Sequence, residues 1–256
     1  MGKFDGILIC SDIDGTFKFA EENIEAVRYF TENGGRFTFV TGRQVVHLWD
    51  KGLDRLINAP ACLFNGGIIY DYQKNELLYE QRLYYTIGEF MEQFGDERKW
   101  TKEFRFYRDY NDKGIWLKWD DTIPEEIATL HSIKVVVTFH SPEDADRFKA
   151  LALKNPFFKN DYIGKSWDVG VEFNPASATK GQALKWIKNY LGDIHTAYGI
   201  GDYENDAELI RQADIGVAVG DAVPEIKALA DWIVKPCAEY AIRDLIERIE
   251  KEIDHV

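Results

Sequence analysis

Cysteine is scarce in this chain. Cys10, Cys62 and Cys237 are the only three among 256 residues, and they stand far apart in no metal-binding spacing. That excludes a disulfide-stapled fold and a cysteine-ligated metal. Cys10 and Cys62 fall in apolar, strand-like runs and read as reduced core residues, which points to the cytoplasm. The five histidines are scattered, form no metal set, and read as structural or surface residues. Long hydrophobic runs are absent: no stretch approaches the length that crosses a bilayer. No basic segment followed by an apolar one opens the chain, so no signal peptide is expected. Positive charge is also short. Lys and Arg number 31 against 44 Asp and Glu, a formal net charge of −13. Such an acidic surface argues against nucleic acid or an anionic membrane as partner. No internal repeat or low-complexity tract is evident. The balance, 45% apolar and 29% charged, fits a globular protein of one large or two small domains.

Against those absences, the start of the chain is dense in chemistry. Ile7-Leu8-Ile9-Cys10-Ser11 is an apolar run that ends in Asp12-Ile13-Asp14-Gly15-Thr16. On an extended segment residues i and i+2 share a face, so Asp12 and Asp14 project together from the end of a buried strand. Two carboxylates that close repel, and a divalent cation offsets them; Mg²⁺ prefers such oxygen ligands. One carboxylate can then act as nucleophile and the other as acid/base. The alternative is a surface turn of the Asp-x-Asp-Gly kind.

Three further segments bear on that choice. Phe37-Thr38-Phe39-Val40 is a second apolar strand, and it ends in Thr41-Gly42-Arg43. A hydroxyl and a backbone N–H at such an end can grip phosphate oxygens, although Thr-Gly-Arg is also a common turn. Thr179-Lys180-Gly181-Gln182 opens an amphipathic stretch with Leu184, Ile187 and Leu191 on one stripe. Thr179 and Gln182 fit a capping box, which puts Lys180 in the first helical turn. A lysine there opposes the helix dipole, so a purpose is implied; the alternative is a solvated surface lysine. Finally Gly201-Asp202-Tyr203-Glu204-Asn205-Asp206 follows a short apolar strand. Asp202 offers a further metal ligand. Asn205 reads as a phosphate-binding residue or, with Glu208, as a helix cap, and Asp206 as a ligand or a support for the loop.

Acid pair, Thr, Lys and acid cluster occur in this order, each at the end of an apolar run or the start of a helix. The order resembles the haloacid dehalogenase (HAD) superfamily of phosphohydrolases. The Asp-x-Asp-Gly-Thr pattern is complete at Asp12 to Thr16, and the Gly-Asp-x-x-Asn-Asp form at Gly201 to Asp206. Asn174, Pro175, Lys180 and Gly181, with Phe64-Asn65-Gly66-Gly67, look like the Cof-type branch. The resemblance implies that Asp12 attacks phosphorus and forms an aspartyl-phosphate, and that Asp14 protonates the leaving oxygen and then activates water. It implies that Asp12, the Asp14 carbonyl and Asp202 hold Mg²⁺, and that Thr41, Gly42 and Lys180 bind the phosphoryl oxygens, with Asn205 beside them and Asp206 in support. The acid at Asp14 sets the chain apart from relatives that cleave carbon–halogen bonds, which need none.

Apolar runs at 7–10, 37–40 and 61–64 alternate with helical patterns at 22–33 and 44–57. After Lys180 the alternation resumes: helix 180–191, strand 196–200, helix 205–213, strand 215–219, helix 224–230, strand 232–235 and helix 238–252. The expected fold is α/β, a doubly wound parallel sheet with ligands beyond the strand C-termini. Residues 68–80 read as a β-hairpin. Residues 82–176 break the alternation, with strands at 104–107, 115–119, 133–139 and 169–173 and helices at 86–98 and 142–154. The expected division is a discontinuous core, 1–81 and 177–256, and an inserted α/β cap, 82–176. Trp100, Trp116, Trp119 and Trp167 read as that unit's core, with stacking on a sugar ring as the alternative. Arg105, Arg108, Lys118 and Lys165 read as solvated charges or as partners for a second negative group on a substrate.

The resulting expectation is a cytoplasmic, Mg²⁺-dependent phosphatase of small phosphorylated metabolites, sugar phosphates foremost. The alternatives are a phosphomutase of sugar phosphates, and a phosphoacceptor or binding module of the receiver kind. Against the latter, Asp12 follows the first strand and Asp14 would hydrolyse an acyl phosphate. Neither the substrate's identity nor the oligomeric state is legible in the chain.

Overall fold

Five consecutive buried residues, Ile7–Ser11, form β1. A strand covered on both faces is the mark of a central parallel strand. In the computed structural model, which describes residues 2–111 and 113–254, β1 is followed by α1 (Glu21–Glu32), β2 (Arg36–Phe39), α2 (Val45–Lys51), β3 (Ala61–Leu63), β4 (Ile68–Asp71) and β5 (Glu76–Glu80). A middle section holds α3 (Ile87–Glu92), β6 (Thr101–Tyr107), β7 (Ile115–Leu117), α4 (Glu125–Ala128), β8 (Lys134–Phe139), α5 (Pro142–Lys154), β9 (Asp161–Gly164) and β10 (Gly170–Pro175). The chain then returns through α6 (Lys180–Leu191), β11 (Thr196–Gly201), α7 (Ala207–Gln212), β12 (Ile215–Ala218), α8 (Pro224–Lys227), β13 (Trp232–Ile233) and α9 (Ala241–Asp254).

The first sheet runs β13-β12-β11-β1-β2, and every pairing in it is parallel. β1 sits between the early strand β2 and the late strand β11, with Cys10 opposite both Thr38 and Gly199. Asp12 and Asp202 therefore leave neighbouring strands at the same end. β3 joins this sheet only through the single parallel bridge Val40–Cys62; its full pairing is antiparallel, to β4, which pairs with β5 as the expected hairpin. α1 packs on α9, whose buried stripe is Ala241, Ile242, Leu245, Ile246 and Ile249. The sheet and these helices share one apolar core.

The second sheet runs β7-β6-β8-β10-β9 and is wholly antiparallel. Strict alternation divides its faces. Phe104, Phe106, Val135, Val137, Phe139, Val171 and Phe173 pack with Phe90, Phe148 and Phe158 into a separate core. The opposite face carries Arg105, Tyr107, Lys134, Val136, Thr138 and Glu172. These six line a cavity shared with the end of the parallel sheet.

Several local expectations are corrected. The pattern at 44–57 is not one helix: Gly52 adopts φ 66° and ends α2, and Leu53–Arg55 continues as a 3₁₀ turn. The helix expected over 86–98 stops at Glu92 and restarts after Gly95 as a 3₁₀ stretch, Asp96–Trp100. β9 and α4, four residues each, are too short to show a period. The tryptophans are not the small unit's core. Trp116, Trp119 and Trp167 are exposed, and Trp100 lies at the core's rim beneath the Arg147 guanidinium. Phenylalanines fill that core instead.

Phe90 touches the rings of Phe94, Phe104, Phe106, Phe158 and Phe173. Phe90→Ala should cost about 3–5 kcal/mol in urea unfolding. A loss below about 1 kcal/mol would mean that this core collapses onto the gap.

Candidate active site

The parallel strands deliver their chemistry at their C-terminal ends. Asp12 follows β1, its N–H bonded to the Ile200 carbonyl at 3.0 Å. Asp202 follows β11. Asp206 ends a 3₁₀ turn, Glu204–Asp206, that leads into α7. Lys180 opens α6, whose N-cap Thr179 accepts the Gln182 N–H at 3.2 Å. Only that half of the expected capping box forms. The lysine is not solvated: its Nζ donates to Asp12 Oδ1 at 2.7 Å and to Asp206 Oδ1 at 2.5 Å, and all three side chains are buried. Burial opposes a charge on Lys180, but Asp12 and Asp206 outweigh it and hold the ammonium protonated.

Carboxylate oxygens of Asp12, Asp202 and Asp206 lie within 4.8 Å of one another. Lys180 offsets one of three negative charges. Asp202 accepts the Thr16 hydroxyl at 2.9 Å; its carboxyl is pushed up to about 6 by burial and by the charge of Asp206. Such a set of hard oxygen donors with charge in excess fits a divalent cation. Asp206 has both oxygens engaged, one by Lys180 and the other by the N–H groups of Asp202 and Tyr203 at 3.0 and 3.1 Å. Space is tight throughout. Gly15, at φ 80°, leaves no room for a Cβ, which would fall 2.3 Å from Asp202 Oδ2, and one on Gly201 would fall 2.3 Å from Asp206 Cγ.

Asp14 stands apart from this cluster. Arg43 grips it with two hydrogen bonds, each 2.7 Å. Burial raises its pKa, but the Arg43 bonds and charge outweigh that and bring it below the usual value. Thr41 is fully buried; its hydroxyl accepts the Arg43 N–H at 3.2 Å. Behind this turn runs Phe64-Asn65-Gly66. All three residues have positive φ (53°, 59° and 114°), a strain of order 1–3 kcal/mol for each non-glycine residue. The strained loop clasps the Thr41–Arg43 turn through Phe64 N–H to the Arg43 carbonyl and Asn65 N–H to the Thr41 carbonyl, both 3.0 Å.

The antiparallel sheet supplies the roof. Lys134 and Glu172 form a buried ion pair at 2.6 Å, and Lys134 also donates to the Gly42 carbonyl at 3.2 Å. Burial raises the Glu172 pKa, but Lys134 beside it outweighs that and keeps the group ionised. Asn65 and Ser166 each donate to Glu172 Oε2 at 2.6 Å, and Asn205 donates to Ser166 at 3.0 Å. Three consecutive residues of the acidic loop reach the roof: Tyr203 to Asp168 at 2.8 Å, Glu204 to Lys149, and Asn205 to Ser166. The cavity enclosed is about 480 Å³.

Of the residues singled out in the sequence, Asp12, Lys180, Asp202 and Asp206 meet in one cluster. Asp14, Gly42 and Asn205 line the cavity beside Asp12, and Thr41 lies behind it. Asn205 bonds to Ser166 and, at 3.4 Å, to Asn65, rather than capping a helix. Arg43 and Asn65 stood in the quoted motifs without a role. Lys134 and Glu172 were missed: each is a lone charge in an apolar strand run, and nothing in the sequence pairs the two. Of the four cations considered in the middle section, Arg105 reaches the cavity, while Lys165 pairs with Asp146 at 2.7 Å.

A doubly wound sheet with two acids after its first strand, an ammonium buried among carboxylates and an inserted antiparallel roof defines a class of hydrolase. The family model of haloacid dehalogenase-like hydrolases matches residues 9–246, and the chain belongs to that family, in its Cof-like branch. A protein of Streptococcus pyogenes that carries a phosphatase name is 26% identical over 89% of this chain and 92% of its own. The phosphoglycolate phosphatase of Methanothermobacter thermautotrophicus is 29% identical over 94% of this chain and 97% of its own. Among solved structures, a HAD subclass IIB sugar phosphatase superposes with a TM-score of 0.77 at 21% identity, covering 94% of this chain and 98% of that one. No helix among the described residues is long and apolar enough to cross a membrane.

The raised Asp202 carboxyl gives a pH test. Its folded value, about 6, exceeds the unfolded value of about 3.9, so the folded chain holds the extra proton between them and loses stability as pH rises through that window. A cation held by Asp202 would compete for the same oxygens. The rise in Tm on replacing EDTA by Mg²⁺ should therefore grow between about pH 4.5 and about pH 7, and Asp202→Asn should flatten the increase. An equal rise at both ends would place the cation elsewhere.

Proposed function

We propose that the chain is a Mg²⁺-dependent phosphatase of small phosphorylated metabolites, sugar phosphates foremost, acting through an aspartyl-phosphate on Asp12. The observation that carries this reading is Lys180, buried between Asp12 and Asp206. Its ammonium donates to the cavity-lining Asp12 and favours the ionised carboxylate against burial, which pushes that group well above the usual carboxylate range; a stabilising role alone would not call for three buried charged groups beside a cavity.

Asp12 attacks phosphorus, the leaving alkoxide takes a proton from Asp14, and the phosphoryl group rests on the Asp12 carboxylate. Asp14 then accepts a proton from water as that water attacks phosphorus, which frees phosphate and restores Asp12. Arg43 keeps Asp14 ionised in the free protein, so before it donates, Asp14 must part from Arg43 and take up a proton from solvent. Thr41, the Gly42 N–H, Lys180 and Asn205 bind phosphoryl oxygens, where charge develops during transfer. Asp12, Asp202 and the Asp14 carbonyl would hold Mg²⁺, and Asp206, already engaged by Lys180 and two backbone N–H groups, supports that loop. Bound there, Mg²⁺ offsets the charge of the carboxylates and of the substrate dianion. The cavity roof, residues 82–176, sets which leaving group enters. Support for phosphate-ester hydrolysis comes from the family and from the phosphatase names of the full-length relatives.

Asp12→Asn should abolish turnover with Tm near that of the parent. Asp14→Asn should slow a sugar phosphate by about 10²–10⁴-fold, and p-nitrophenyl phosphate far less, because a phenolate needs little protonation. Equal losses on the two substrates would remove Asp14 as the acid.

A further inference from the structure

The cavity holds three strongly basic side chains, and two of them are already matched. Arg43 is bonded twice to Asp14, and Lys134 is bonded to Glu172. Among the described residues that line the cavity, Arg105 is the cation with no carboxylate at hydrogen-bond distance; Glu103 stands 3.7 Å away. Its position is nevertheless well defined. The guanidinium lies over the Trp116 ring, 3.2 Å from the centroid, and donates to Tyr107 Oη at 2.9 Å. The register explains the platform: Arg105 pairs directly with Trp116 across β6 and β7, so both side chains rise from the same face of the sheet. Its Nε is buried without a partner, which costs stability. Arg105 is thus a preorganised cation at the cavity wall whose nearest carboxylate, Glu103, lies beyond hydrogen-bond distance.

Resting on the phosphatase reading, we infer that Arg105 is a specificity-determining residue that receives a carboxylate on the leaving group, and that the preferred substrates are phosphomonoesters of sugar-sized hydroxy acids. The guanidinium fork matches a planar carboxylate in two parallel hydrogen bonds. Tyr107 and Thr138, on the same face, offer only neutral groups beside it. One cation that already has the Glu103 carboxylate 3.7 Å away suits a monoanion better than a second phosphate dianion. The cavity, about 480 Å³, accommodates a leaving group of this size.

The test is the ratio of kcat/KM within matched pairs that share a skeleton and differ by the acid: phosphogluconate against glucose phosphate, and phosphoglycerate against glycerol phosphate, each phosphorylated at the end remote from the carboxylate. The parent should favour the acid in at least one pair, and Arg105→Gln should lower that ratio by about tenfold or more, the effect of losing a charged hydrogen bond. Arg105→Lys, which keeps the charge without the fork, should fall between. Because the readout is a ratio, a general loss of activity does not mimic it. Glu103→Gln leaves Arg105 in place and removes the nearest carboxylate, so it should raise the ratio, and it decides the matter if Arg105→Gln does not fold. A parent without preference for the acid, or ratios unmoved by these variants, would overturn the assignment. So would a stronger preference for fructose bisphosphate over its monophosphate than for any acid, since that would make the site a phosphate subsite. Turnover of p-nitrophenyl phosphate without discrimination within the pairs would sink this inference alone; no Mg²⁺-dependent hydrolysis of any ester would sink the phosphatase reading and this inference with it.

Discussion

One buried ammonium holds the site together. Lys180 reaches Asp12 at the end of the first strand and Asp206 in the chain's last third, and water has almost no access to any of the three. Without it, three carboxylates would face one another in a low-dielectric pocket, where removing one partner of a buried ion pair typically costs about 3–5 kcal/mol. The same bonds explain the geometry around it. Asp206 can use one oxygen for Lys180 and the other for the N–H groups of Asp202 and Tyr203, which fixes the loop that presents Asp202. Glycines at 15 and 201 are needed because the carboxylates come too close for any Cβ.

The roof depends on that loop in turn. Tyr203, Glu204 and Asn205, all between Asp202 and Asp206, each hold a residue of the antiparallel section. From the other side, Lys134 donates to the Gly42 carbonyl and Asn65 to Glu172. The contacts that close the cavity are therefore made by three short segments: the loop that carries Asp202 and Asp206, the Gly42 turn and the Asn65 loop behind it. A shift of the roof and a shift of the chemical groups are mechanically linked through these short segments.

The parallel core was legible because its physics is local. Apolar runs such as Ile7–Cys10 end in polar residues, and the start and stop signals at Thr179 and Gly192 bound α6 as expected. The cluster of Asp12, Lys180, Asp202 and Asp206 followed from motif order, since strand ends of one sheet lie on one edge. Three things were not legible. The strain at Phe64 and Asn65 is a backbone property, visible only once the Thr41 turn is seated against it. The Lys134–Glu172 pair joins two strands whose partnership depends on register, and neither residue announces the other. The tryptophans were misread because a large aromatic residue is scored as core by composition, whereas here phenylalanine fills the small core and Trp116 serves as a platform under Arg105.

Arg43 marks the boundary between what is organised for rest and what must move. It neutralises Asp14 in the free protein, while Asp12 is held ready by Lys180. The proposed mechanism rests on that division, with attack by Asp12 and proton transfer by Asp14 in two successive displacements at phosphorus. The most direct measurement is the stereochemical course of hydrolysis of an isotopically chiral phosphate monoester. Two displacements through Asp12 lead to retention of configuration at phosphorus; inversion would mean that water attacks the substrate directly and that Asp12 is no nucleophile.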